Sequence, residues 1–220
     1  MFKSITLRTN NLTVMRHFYL IDIEFPLVKS TADSFTIQVG DSSLTFIQSD
    51  EPATYHFAFN IPGNQVRLAK KWLDGRVPLN LESGKNEIYY ESFDADAIYF
   101  EDPAGNVVEF IGRRNRKTID DFTTSSILDI SEISITTPFV KDTAKKLEKF
   151  GIHSRNDNPI EPESLNFLGE EDTYIILVPP NRRWYFSDRM SITCPLEIEL
   201  FDYRRIIVDF EGIVDTPEGL

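Results

Sequence analysis

The feature that most constrains this chain is an order of elements. Strand, helix and three further strands follow one another, and the same order then begins again. Ser4-Ile5-Thr6-Leu7-Arg8 alternates polar and apolar residues as a half-buried strand does. Asn10-Asn11 offers a helix start, and Leu12, Met15, Phe18 and Tyr19 follow at helical spacing. Residues 23–29 read as a short strand, and residues 34–39 and 43–48 as a hairpin turning at Gly40-Asp41. The second unit opens with a strand over 54–61, broken by Pro62-Gly63-Asn64. Val66, Leu68, Ala69, Trp72 and Leu73 then form an amphipathic helix stopped by Gly75. Strands over 87–93 and 95–101 lead into the turn Asp102-Pro103-Ala104-Gly105-Asn106, and residues 107–111 close the unit.

A third unit begins at Ile130, where Glu132-Ile133-Ser134-Ile135-Thr136 mirrors the first strand. Thr143, Lys146 and Leu147 lie on a helix ending near Gly151, and strands over 165–168 and 174–178 flank the turn at 169–172. Residues 196–200 and 205–209 are strand-like without a helix, so a complete fourth unit does not fit. Between the second and third units, Arg113, Arg114, Arg116 and Lys117 precede Asp120-Asp121 in a polar stretch that reads as a solvated connector. One unit cannot bury its apolar face alone, so units pair, and alternate residues of the paired sheets line a concave surface. The expected fold class is α+β: repeated βαβββ modules forming curved mixed sheets around a concave cleft, with helices on the outer side. The expected division is 1–113 with two modules, a linker at 114–127, and a degenerate second domain at 128–220. An odd number of complete modules leaves an edge to cover, which predicts a homodimer.

Composition narrows the partners. The 35 acidic against 23 basic residues give a net charge of −12, a surface that repels phosphate backbones and anionic lipid. The expected partner is therefore a small molecule, with neither nucleic acid nor membrane. Cys194 is the single cysteine, which excludes an intramolecular disulfide. No run reaches the roughly 18 apolar residues of a membrane span, and no secretory leader is visible, so a cytoplasmic location is expected. The chain shows no Ser-His-Asp arrangement, phosphate-binding loop, dinucleotide fingerprint or CxxC.

The run Ala97-Ile98-Tyr99-Phe100-Glu101-Asp102-Pro103-Ala104-Gly105-Asn106-Val107-Val108-Glu109-Phe110 resembles the closing hairpin of the vicinal oxygen chelate superfamily, the group of glyoxalase I, fosfomycin and bleomycin resistance proteins and extradiol dioxygenases. Tyr55-His56-Phe57-Ala58-Phe59 resembles the preceding ligand strand of that group. The likeness is clear over residues 1–113 and holds over 128–180 in pattern only. It implies a divalent metal (Zn, Mn, Ni or Fe) held by His56 and Glu109. Alternation agrees: Phe57 and Phe59, like Val108 and Phe110, take the helix side, so His56 and Glu109 face the cleft. Glu109 and Tyr99 are the catalytic candidates, and Thr6, Arg8 and Tyr99 the substrate-binding ones. Many relatives have a first-strand histidine where this chain has Ser4, and the facing position near Thr45 supplies no ligand either. Glu132 holds the place equivalent to Ser4 in the third unit. His17 and His153 read as surface residues, Cys194 as a small buried one, and Trp184 and Tyr185 as core or ligand-stacking aromatics. Two functions stay open: a metal-dependent lyase, transferase or dioxygenase, or a metal-free drug-binding protein of the bleomycin-resistance kind.

Overall fold

The computed structural model describes residues 2–217. The first module comprises strand β1 (Phe2–Thr9), helix α1 (Leu12–His17) and strands β2 (Leu27–Ser30), β3 (Ser34–Val39) and β4 (Ser42–Gln48). The second comprises β5 (His56–Pro62), α2 (Val66–Leu73), β6 (Ile88–Tyr90), β7 (Ala95–Glu101) and β8 (Val107–Arg113). The third comprises β9 (Asp129–Thr136), α3 (Val140–Lys149), β10 (Asn166–Glu170) and β11 (Thr173–Val178), and the chain continues through β12 (Leu196–Leu200), β13 (Arg205–Val208) and β14 (Val214–Asp215). Among the described residues no helix is long and apolar enough to cross a membrane.

The strands form two seven-stranded sheets, ordered β14-β13-β12-β1-β4-β3-β2 and β10-β11-β9-β5-β8-β7-β6. Pairing therefore does not follow chain order. The first module joins the last three strands through an antiparallel β1–β12 ladder. The second module joins the third through antiparallel β5–β9, which crosses the polar stretch read as a connector. The last strands thus occupy the place a fourth module would take, so the edge expected to draw a second chain is covered from within this one.

Alternation sets the faces. Ile5, Leu7, Phe35 and Phe46 of the first sheet and Phe57, Phe59, Phe110 and Ile133 of the second belong to one continuous core. All three helices enter the same core, with Leu12 and Met15 from α1, Val66, Ala69 and Leu73 from α2, and Ala144 and Leu147 from α3. Phe25 and Phe59, from different modules, meet there with ring centroids 5.5 Å apart. The opposite face of the second sheet carries a smaller cluster including Ala58, Tyr99, Ile176, Trp184 and Phe186.

Two local expectations differ. The strand expected over 23–29 starts only at Leu27, because Phe18–Asp22 extends α1 by a wide turn that buries Phe18 and Tyr19. The strand expected over 87–93 is confined to Ile88–Tyr90 and followed by a single helical turn. Gly75 and Gly151 end α2 and α3 with positive φ of 79° and 85°, the left-handed conformation that closes helices.

Candidate metal centre

The turn that marks the closing hairpin also fixes the centre. Asp102 is buried, and its Oδ1 accepts from the backbone N–H groups of Ala104 and Asn106 at 3.0 Å each. Its Oδ2 accepts from the Tyr19 hydroxyl and from Asn106 Nδ2, both at 2.8 Å. Burial pushes the Asp102 carboxyl up to about 6, against these hydrogen bonds. Asn106 Oδ1 in turn accepts from the Tyr55 N–H at 2.8 Å, which clamps the start of β5 to the start of β8. The next residue, His56, then places Nδ1 3.0 Å from the Val107 carbonyl oxygen. A carbonyl only accepts, so Nδ1 carries the proton and Nε2 keeps its lone pair, the tautomer a metal ligand needs. Asn106→Ala is expected to leave the buried Tyr55 N–H unpaired, costing about 1–3 kcal/mol in chemical denaturation and loosening the His56 ring.

The β8 register places Glu109 beside Ala58 and opposite Tyr99. In β9 the ladder with β5 shifts register, since Ala58 pairs with Glu132 but Phe59 pairs with Ile130. The extra residue, Ser131, makes a bulge that lets Ile130 and Ile133 both reach the core while Glu132 keeps the cleft side. His56 Nε2 consequently lies 3.5 Å from Glu109 Oε2 and 4.0 Å from Glu132 Oε2. The three residues are 5%, 2% and 3% exposed, so bulk solvent screens the two carboxylates only weakly from each other. One ligand atom from each lies within 4.8 Å of the others. One imidazole with a free nitrogen and two carboxylates form a donor set that suits a divalent ion of the Zn, Mn, Ni or Fe group.

The electrostatics fit that reading. Burial, aided by the Arg182 charge and opposed by the Val107 carbonyl, lowers His56 to about 4, so its ring is neutral near pH 7. Burial first, and the Glu132 charge second, raise Glu109 well above the carboxylate range. Glu132 is raised by burial against the pull of Arg113. Carboxyls raised in this way bind protons more tightly folded than unfolded, so metal-free protein loses stability as pH rises through their folded values. His56 contributes the opposite slope, confined between about 4 and its ordinary 6.5. Above pH 6.5 only the carboxyls act. The thermal midpoint of metal-free protein is expected to fall between about pH 6.5 and 8, and a bound divalent ion is expected to flatten that fall, as differential scanning calorimetry would record.

Arg113 lies elsewhere than its sequence context suggests. It borders the polar stretch read as solvated, yet it is 4% exposed at the end of β8. Its guanidinium lies 3.4 Å from Glu132 and 3.4 Å from Asp172, donates to Ser131 Oγ at 2.9 Å, and also donates to the Asn60 side-chain oxygen. It therefore grips the bulge and the ligand together. Arg116, half-exposed, pairs with buried Asp129 at 3.2 Å. The run of basic residues gave only a composition signal. Its packing follows from the β5–β9 ladder, which composition does not reveal.

Tyr99 lies in the centre, its hydroxyl 2.7 Å from that of Tyr90, and burial raises both hydroxyls so that they stay protonated. The cavity in front of the ligands has a volume of about 290 Å³ and is lined by Tyr90, Phe93, Tyr99, Phe167, Trp184 and Tyr185 among others. Thr6 and Arg8 do not reach it. They lie on β1 in the first sheet, on the face opposite Ile5 and Leu7, so the shared core separates them from His56. Ser4 shares their face, where its hydroxyl donates to Glu199 at 3.3 Å. His17 is exposed and 3.7 Å from Asp22, His153 is exposed, and Cys194 is buried against the Thr54 backbone.

A profile described as toxoflavin-degrading enzyme matches residues 130–182, which span β9 to the start of the segment after β11. A solved Bacillus subtilis protein assigned as a dioxygenase is 17% identical, with a TM-score of 0.58 over 80% of this chain. The chain has the vicinal oxygen chelate fold. The aligned part spans 63% of the Bacillus protein. A lactoylglutathione lyase from Agrobacterium tumefaciens is 16% identical over 52% of this chain and 95% of its own, with a TM-score of 0.44. The fosfomycin resistance protein FosX from Listeria monocytogenes is 17% identical over 51% of this chain and 92% of its own, with a TM-score of 0.42. No curated protein matches the sequence. The expected α+β class of curved mixed sheets with helices on one side agrees with this fold.

Proposed function

We propose that the chain is a metal-dependent enzyme of the glyoxalase and dioxygenase type, acting on a small oxygen-bearing molecule in the second sheet's cleft. The observation that carries this reading is the convergence of His56, Glu109 and Glu132 ligand atoms within 4.8 Å, with the His56 tautomer set by Val107. His56, Glu109 and Glu132 would hold the ion, which would supply Lewis-acid stabilisation of negative charge on substrate oxygen. Tyr99 keeps its proton at Oη and donates a hydrogen bond to a substrate oxygen, oriented by Tyr90. The aromatic walls and the segment carrying Trp184 make most of the surface of this space apolar, which strengthens a hydrogen bond formed there. This reading keeps the cytoplasmic setting, where Cys194 stays reduced.

A second reading, metal-free binding of a small apolar molecule, is favoured by the aromatic lining of the cavity. Elemental analysis after loading with zinc, manganese, nickel or iron separates the two. The enzyme reading expects about one ion per chain in wild type and none retained in His56→Ala. Wild type without stoichiometric metal under every loading condition would leave the binding reading in its place.

A further inference from the structure

Residues 179–195 join β11 to β12 and carry no regular strand, yet they are tied down. Asn181 and Ser191 pair across a hairpin-like loop, as do Trp184 and Arg189, through backbone hydrogen bonds of 2.8 and 2.9 Å. Arg183 pairs with Glu82 at 2.8 Å, whose other oxygen accepts from the Phe186 N–H at 3.1 Å. Ser187 and Arg189 hold Glu101 at 2.7 and 3.1 Å, and the Phe186 ring stacks on Tyr99 at 4.7 Å. This strap brings Arg182, Trp184 and Tyr185 to the wall of the cavity that His56, Glu109 and Glu132 also line.

Two groups on the strap lack partners that buried polar groups normally have. Trp184 is 3% exposed, its ring centroid is 5.0 Å from that of His56, and its Nε1–H is buried without an acceptor. A buried donor left unmatched is costly, and such groups are rare in folded proteins. Arg182 is half-buried, and its guanidinium donates to the Arg183 carbonyl at 3.1 Å. Among the described residues it forms no ion pair, although Arg183 and Arg189 on the same strap each have one. Charge points the same way. Glu109, Glu132 and Asp172 face Arg113 and Arg182, so the acids exceed the bases by one and a divalent ion turns this into a positive surplus in a space of low polarity. The cavity is small for a ligand site, at about 290 Å³, and its remaining walls are aromatic faces.

We infer that Arg182 and Trp184 are specificity-determining residues that select a flat, one- or two-ring anion. Arg182 pairs with a carboxylate or similar anionic oxygen group, and the Trp184 Nε1–H donates to an acceptor atom on the same ligand. Arginine suits this task because its planar fork matches a carboxylate and stacks on ring faces. The aromatic walls supply the rest of the contact by offset stacking. The inference rests on the proposed function for the positive surplus, but the recognition groups themselves belong to the strap and not to the metal ligands.

The test uses the full chain, both metal-loaded and metal-free, with 1-naphthoate as probe. Its neutral isostere, 1-naphthamide, and the non-planar anion cyclohexanecarboxylate serve as comparisons. Binding is read by calorimetry and by quenching of tryptophan emission, for which Trp72→Phe leaves Trp184 as the sole indole. Wild type is expected to bind naphthoate at least 10-fold more tightly than either comparison. Arg182→Met should lose that preference for the anion while still binding the amide, Arg182→Lys should keep part of it, and Trp184→Phe should weaken naphthoate several-fold. Metal content of each variant should equal that of wild type. Equal affinity of wild type for naphthoate and naphthamide, or unchanged naphthoate binding in Arg182→Met, overturns the inference without any variant needing to fold poorly. A wild type that selects naphthoate but never holds metal would overturn only the metal reading and support the strap.

Discussion

Glu132→Gln is expected to abolish stoichiometric metal binding without unfolding the chain, because Arg113 keeps its pair with Asp172. The glutamine keeps the size of the side chain but withdraws the charge that, with Glu109, makes a neutral imidazole part of an ion site. The loss should exceed the roughly 10–100-fold that removal of an outer-shell partner causes, because Glu132 would contact the ion itself. Competition against a chromogenic chelator measures it. Glu132→Asp retains the charge and withdraws it by one methylene, so an intermediate affinity is expected. Thermal stabilisation by added metal should follow the same ranking, since an ion at 100 times its dissociation constant adds about 2.7 kcal/mol to wild type. An unchanged affinity in Glu132→Gln would show that the third module does not contribute to the centre.

Arg113→Met should have the largest effect on stability. The substitution removes the cation between Glu132 and Asp172 and the donor to Ser131 and Asn60, in a place that is 4% exposed. Breaking a buried ion pair from one side costs about 3–5 kcal/mol, because the remaining carboxylate is left uncompensated. For a chain of this size that corresponds to a fall of roughly 6–20 °C in thermal midpoint. Arg113→Lys should recover only part, since an ammonium does not span the same fork of acceptors. The substitution should also weaken metal binding, because Glu132 then binds its proton more tightly and the bulge that aims it is loosened. A midpoint within a degree or two of wild type would mean that Asp172 and Glu132 find other partners.

The outcome for His56 and Glu109 differs from that for Arg113 and Arg182 for a physical reason. Alternation in a strand has a period of two, so the apolar neighbours Phe57, Phe59, Val108 and Phe110 fix the face on which His56 and Glu109 stand. The same pattern correctly delimits β12 at residues 196–200 and leaves no helix for a fourth module. Period two carries no information about which strand lies alongside. Pairing of β5 with β9 rather than with the first module brings Glu132 to His56, and it also separates Thr6 and Arg8 from both. The bulge at Ser131 is invisible to alternation, which would otherwise place Ile130 and Glu132 on one face. The strap lies further from what periodicity reads, because its shape comes from Glu82 and Glu101 on distant segments. Trp184 and Tyr185 were legible there as aromatics for core or ligand, whereas the role of Arg182 depended on what it fails to pair with.

The closure of the first sheet by β12 has a consequence for the order in which the protein can be made. A ribosome releases β1 through β4 early, but the strand that covers the β1 edge follows at residues 196–200. At about 5–20 residues per second that edge waits on the order of ten seconds, with Phe2, Ile5 and Leu7 attached to an unpaired ladder. The strands of the second sheet end at residue 178 and can pair while the first sheet is still open. Truncation ahead of β12 would therefore leave a paired second sheet beside a permanently bare strand edge, a nascent-chain hazard built into a fold whose first and twelfth strands must find each other.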